Sequence, residues 1–223
     1  MRPMIELDEL KIKYDRLQNK YGSKKLDSIY FGGQDNNPDM MFVFMNPTGR
    51  NIASSKEWKG IKAPWLGTKN IWKLFYKVGL LDEDVYLDIK NKKSSEWNYD
   101  FANEVYDNVK KHNYFITNLG KCTQEDARVI SDDVYKKYLK LLFKEIGIVN
   151  PKVIILLGNQ VSSIVLDEKI SVSEVRKKEF VKCIARNNYK IYSVYYPVGN
   201  GIFNMDKSIE DIVYIISKCI DKK

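Results

Sequence analysis

Apolar positions along this chain alternate between two spacings. Short continuous runs at 41–45, 114–117, 153–157 and 190–196 have the length and composition of strands buried on both faces. Between them, apolar residues recur at intervals of three and four. Leu10, Ile12, Tyr14, Leu17 and Tyr21 predict a helix over about 7–21, stopped by Gly22. Ile71, Trp72, Leu74, Phe75 and Val78 predict another over 70–78, with Thr68 as its N-cap and Gly79 at its end. Val134, Tyr138, Leu141, Leu142 and Ile146 mark a third over 132–146, before Gly147. Shorter helical patterns lie at 99–111, from Asn159 onward and over 208–218. Residues 82–97 read as charged and irregular, and a lysine-rich segment at 169–182 precedes the fourth run. Strands alternating with helices in this way predict a three-layer α/β/α sandwich around a four-stranded parallel sheet.

At 223 residues, with neither repeats nor a composition shift, the chain is expected to form a single domain whose N-terminal helix occupies 1–22. No apolar stretch approaches the roughly 18 residues of a membrane span, and the amino terminus lacks the apolar core of a signal peptide. A cytoplasmic monomer is the expectation. The net charge of +8, from 37 basic and 29 acidic residues, favours a polyanionic partner. Cys122, Cys183 and Cys219 are too widely spaced for a disulfide framework or a tetrahedral zinc site. The single histidine, His112, falls at the polar end of a predicted helix. With no histidine at a strand end, triad or Cys–His chemistry is excluded. Hydrolysis here would rest on amides, carboxylates, lysines or phenols, without a metal or other cofactor.

The strand ends carry the polar chemistry, and in an open α/β sheet that is where ligands sit. The first run delivers Asn46-Pro47-Thr48-Gly49-Arg50; the second delivers Thr117-Asn118-Leu119-Gly120-Lys121-Cys122. The third ends in Gly158-Asn159-Gln160 and the fourth in Tyr195-Tyr196-Pro197-Val198-Gly199-Asn200-Gly201. A side-chain amide at such a point holds a water or reads a ligand edge; equally, it forms a turn and caps its own loop.

Five of these segments, in order, resemble the motifs of the uracil-DNA glycosylase superfamily, from about Met40 to the carboxyl terminus. Phe44-Met45-Asn46-Pro47-Thr48-Gly49 is similar to the Gly-Met-Asn-Pro-Gly motif, and Ala63-Pro64-Trp65-Leu66-Gly67-Thr68 to the Pro-Phe-Val-Gly segment. Residues 114–122 resemble Val-Tyr-Ile-Thr-Asn-Val-Val-Lys-Cys, and residues 150–158 resemble Arg-Pro-Lys-Val-Ile-Val-Ala-Leu-Gly. Tyr196-Pro197 stands where the family has His-Pro. The layout is closest to the iron–sulfur branch. Only Cys122 has a counterpart among the cluster cysteines, however, so no cluster is expected, and 82–113 is longer than the family's connection.

The resemblance implies a monofunctional DNA glycosylase that hydrolyses the N-glycosidic bond of a flipped uracil, or of another damaged or modified base, on single- or double-stranded DNA. It makes Asn46 the water-positioning residue and Asn118 the reader of the base edge. Trp65 becomes the stacking surface, with Pro47 beside it, and Tyr196 the donor to the leaving base. Arg50, Lys69 and Lys121 would meet phosphates, as would the neighbouring Lys56, Lys59 and Lys62. Gly199, Asn200, Ile202 and Phe203 would form the loop that enters the base stack. Against these roles stand a buried aromatic for Trp65, a packed strand-end tyrosine for Tyr196 and solvated lysines for the cluster. Three rival functions follow: the same fold acting on a non-uracil base, a catalytically silent DNA-binding homologue, and an enzyme of free nucleosides.

Overall fold

The structure, a computed structural model, describes residues 2–128 and 130–220, except for the side chains of residues 2–5 and of Asn200. The chain runs α1 (Arg2–Tyr21), β1 (Phe31–Gly33), β2 (Met40–Phe44), α2 (Asn70–Lys77), α3 (Glu83–Asn91), α4 (Tyr99–Lys111), β3 (Tyr114–Asn118), α5 (Asp132–Val149), β4 (Val153–Leu157), α6 (Asn159–Leu166), α7 (Val172–Val175), β5 (Glu179–Ile184), β6 (Asn187–Val194) and α8 (Met205–Cys219).

One sheet runs through the middle in the order β1-β3-β2-β4-β6-β5. Its four inner strands are parallel, as the apolar runs require, and β2, β3 and β4 are buried at every position. Along β2, Met40, Phe42 and Phe44 face one layer, with Ile116 and Ile155 from the neighbouring strands. Met41 and Val43 face the other, with Phe115 and Ile154. Helices α2, α3, α4 and α8 cover the first face; α1, α5 and α6 cover the second.

The strand count needs correction: the sheet has six strands, because antiparallel edges flank the predicted four. β1 has only three residues, two of them glycine, and carries no alternation to read. β5 begins within the lysine-rich segment and reaches β6 through Ala185 and Arg186, both at positive φ (49° and 73°). That geometry ordinarily selects Asn-Gly, so the turn had no sequence signature. Residues 82–97 are also more regular than expected. They contain α3, whose only buried side chains, Val85 and Ile89, make one i,i+4 pair among charges. The last strand stops at Val194, which leaves Tyr195 and Tyr196 in the loop beyond it. Among the described residues no helix is long and apolar enough to cross a membrane.

Candidate active site

Because β2, β3, β4 and β6 are parallel, their carboxyl ends share one edge of the sheet, and the polar loops gather there. The β2–β3 pairing places Phe44 opposite Asn118, so Asn46 and Asn118 leave adjacent strands at nearly the same level. Backbone pairing continues past the strands: Leu119 N–H donates to the Phe44 carbonyl (2.7 Å) and Gly120 N–H to that of Met45 (2.8 Å). Gln124 then donates to the Pro47 carbonyl and accepts from Gly49 N–H, which laces the first-motif loop to the loop after β3.

The rest of that loop is organised by Asn51. Its buried side chain accepts from Ala53 N–H and donates to the Ala63 carbonyl at 2.9 Å. This closes the loop ahead of Trp65, whose φ of 68° turns the chain sharply toward α2. The Trp65 carbonyl accepts from the Thr68 hydroxyl and from the Trp72 indole, and Tyr106 anchors the preceding Pro64 carbonyl. Phe44, wholly buried, meets the Trp65 ring edge-on at 5.0 Å and the Tyr196 ring at 6.3 Å. One core aromatic therefore sets the orientation of two site aromatics.

These residues enclose a cavity of about 850 Å³. Asn46, Pro47, Trp65, Asn118 and Tyr196 line it; Arg50, Lys69 and Gly199 lie on its walls as well. Asn118 Nδ2 and Trp65 Nε1 are buried donors without a partner among the described residues. Orphan donors are costly in a folded protein, and these two belong to side chains that line the cavity. Burial raises the pKa of Tyr196 above the ordinary phenol range, so its hydroxyl stays a neutral donor at working pH. Asn46 is fixed at both ends of its amide: Nδ2 donates to the Pro47 carbonyl (3.0 Å), and Oδ1 accepts from Tyr135 Oη (2.7 Å).

The loop after Pro197 folds into a 3-10 turn, Gly199–Asn204. A Cβ on Gly201 would sit 1.8 Å from the Tyr196 carbonyl, so only glycine allows this return. Ile202 and Phe203 project outward, Phe203 with 91% of its surface exposed. The side chain of Asn200 lies outside the described residues.

A family model, Uracil DNA glycosylase superfamily, matches residues 31–202. The chain belongs to that superfamily. No curated protein matches it.

Against that membership, two cations depart from their expected places. Lys121 has no exposed surface to offer a phosphate: it is paired with Glu145 at 3.1 Å in the interior and donates to Thr117 Oγ1 and the Asn118 carbonyl. Lys62 is mostly covered and is held by Asp27 (2.9 Å) and the Ser55 carbonyl. Lys56 and Lys59 remain exposed, and Lys69 donates to the Lys90 carbonyl at 2.6 Å. Asn51, which lines the cavity, and Tyr135, which holds Asn46, were not singled out by sequence reading. Asn51 carried no signal. Tyr135 fell outside the apolar spacing, Val134, Tyr138, Leu141, Leu142 and Ile146, that marked its helix. Among the described residues no group of three or more His, Cys, Asp or Glu side chains is arranged to hold a metal.

Proposed function

We propose that this protein is a monofunctional DNA glycosylase that hydrolyses the N-glycosidic bond of a flipped base and leaves an abasic site. One observation carries the reading. Two side-chain amides, Asn46 and Asn118, leave adjacent parallel strands into a single cavity that Trp65 and Tyr196 also line.

Breaking the bond leaves the sugar cation-like and puts negative charge on the departing base. Asn118 offers an acceptor oxygen and two donor hydrogens to the edge of a pyrimidine, and its Nδ2 is already without a protein partner. Trp65 supplies a stacking face, a contact of about 1–3 kcal/mol per base. Tyr196 donates to a base oxygen as charge develops there. Asn46 Oδ1 accepts a hydrogen bond from the attacking water. An amide is too weak a base to ionise that water, so the gain comes from placement. Arg50, Lys69 and the exposed Lys56 and Lys59 meet the backbone phosphates. Phe203, with Ile202, fills the gap left in the stack. The protein acts on DNA as a monomer in the cytoplasm.

Trp65 and Tyr196 stand where the family resemblance has Phe and His, and this favours a base other than uracil as a second reading. The test uses labelled single- and double-stranded oligonucleotides carrying uracil or one of a panel of modified bases, with alkaline cleavage reporting abasic sites. Cleavage by the wild type, reduced on the order of 10²–10³-fold in Asn46→Ala, is expected. Salt-sensitive DNA binding with no abasic product from any substrate would overturn the enzymatic reading in favour of a silent homologue.

A further inference from the structure

Tyr135 belongs to α5, on the opposite side of the sheet from Trp65 and the helices that cover it. It is 1% exposed, yet its hydroxyl reaches past the end of β3 to donate to Asn46 Oδ1 at 2.7 Å. Gly120 leaves room for this reach. A Cβ there would lie 3.0 Å from Tyr135 Cε1 and 3.2 Å from Cδ1, tight enough to push the ring by a few tenths of an ångström. Gly120 is itself pinned to Met45, next to Asn46, through its N–H. Helix, glycine and strand end therefore form one clamp on a single amide.

We propose that Tyr135 is the positioning residue for Asn46, fixing its amide so that one free lone pair of Oδ1 faces the cavity and selects one orientation of the attacking water. The inference rests on the glycosylase reading of Asn46. The chemistry is simple. With Nδ2 committed to the Pro47 carbonyl, a flipped amide would set its oxygen against that carbonyl and leave the buried Tyr135 proton without its acceptor. The tyrosine therefore penalises the flip. It also occupies one of the two lone pairs of Oδ1 and leaves the other for water. Burial, assisted by the neighbouring Cys122, Tyr196 and Asp132, raises the pKa of Tyr135 above the phenol range, so it stays a donor throughout working pH.

Tyr135→Phe keeps the ring and removes only the donor. In single-turnover assays on the base the wild type excises, the rate of base release is expected to fall about tenfold with KM unchanged. In an Asn46→Ala background the same change should add nothing. Gly120→Ala, which keeps the hydroxyl but moves it with the ring, should reproduce part of the loss. Independently of activity, the Asn46 side-chain NH₂ signals in a ¹⁵N-correlated NMR spectrum should shift and exchange faster in Tyr135→Phe. Unchanged amide signals, or changed signals with a wild-type rate, would overturn the inference and leave the glycosylase reading intact. A wild type that releases no base from any substrate removes the glycosylase reading and the catalytic role of Tyr135 together.

Discussion

The face of the sheet under α2, α3, α4 and α8 is filled with aromatic and aliphatic side chains, Phe42, Trp72 and Phe75 among them. The face under α1, α5 and α6 encloses a wholly buried ion pair, Lys121 with Glu145, and a set of tyrosine hydroxyls. Tyr14 donates to Glu145 at 2.7 Å and lays its ring 4.8 Å from the Lys121 ammonium. On the first face Asp82, with Lys111 and His112, lies at the rim, and the one buried carboxylate described there, Asp211, is paired with Arg176, which reaches the surface. The two layers meet the site differently. The first supplies shape, because Phe44 orients Trp65 and Tyr196. The second supplies restraint: Tyr135 holds the Asn46 amide, and the Lys121 ammonium holds the Asn118 carbonyl. The polar layer, which costs desolvation, fixes one strand-end side chain, Asn46, and the backbone carbonyl of the other, Asn118.

The largest effect should come from breaking the buried pair. Glu145→Ala leaves the Lys121 charge without its counterion and strands the hydroxyls of Tyr14 and Thr117. Such a break costs about 3–5 kcal/mol, measurable as a shift in the urea midpoint. Replacing both partners, as Lys121→Met with Glu145→Leu, should recover most of the stability, since a packed apolar pair is often no worse than an ion pair. Base release should nevertheless stay impaired, because the Asn118 carbonyl has lost its donor. Full recovery of both stability and rate would reduce this layer to filling and end the contrast.

Trp65→Ala probes the shape layer. Loss of a stacking face worth about 1–3 kcal/mol per base predicts a roughly ten- to hundredfold drop in kcat/KM, largely restored by Trp65→Phe. A comparable loss in Trp65→Phe would mean that the indole N–H, and not the ring face, is what the substrate meets. Phe203→Ala is expected to behave oppositely to Glu145→Ala. At 91% exposure it should move stability by no more than about 0.5 kcal/mol, yet weaken base release from duplex DNA.

What could be read ahead of the structure follows from range along the chain. Three of the four parallel strands, β2, β3 and β4, announce themselves as nearly unbroken apolar runs, and Asn46 and Asn118 stand out because each ends one. Neither run says that the two strands are neighbours in register; that comes from the sheet. Lys121 reads as a phosphate ligand since its burial depends on Glu145, 24 positions away on the next helix. The Tyr135–Asn46 contact spans 89 positions and joins a strand end to a helix residue outside the apolar spacing that marks that helix. The antiparallel edges were hidden for local reasons: a three-residue strand with two glycines, and a hairpin turned by Ala185 and Arg186. The fold was therefore more readable than the site, because burial is written in local composition while partnership is not.

The smallest effect belongs to the rim of the first layer, and it tests whether charges there matter as little as the contrast requires. Asp82, at the N-cap of α3, accepts from Lys111, from Asn108 Nδ2 (2.6 Å) and lies 2.8 Å from His112 Nε2. Its pKa is lowered from 3.8 to about 2, first by the hydrogen bond from Lys111 and then by that from His112, with partial desolvation opposing. Since the folded pKa is the lower one, the unfolded chain binds the proton more readily, and acid favours unfolding through this group. The stabilisation is present above about pH 4 and is lost as pH falls toward 2. Solvent reaches the cluster, so after screening it amounts to about 1 kcal/mol at most. Asp82→Asn should leave base release untouched and flatten the stability–pH curve between 4 and 2 by that amount. A loss approaching that of Glu145→Ala would mean that the first layer also depends on a fixed charge, and the division of labour between the two faces would fail.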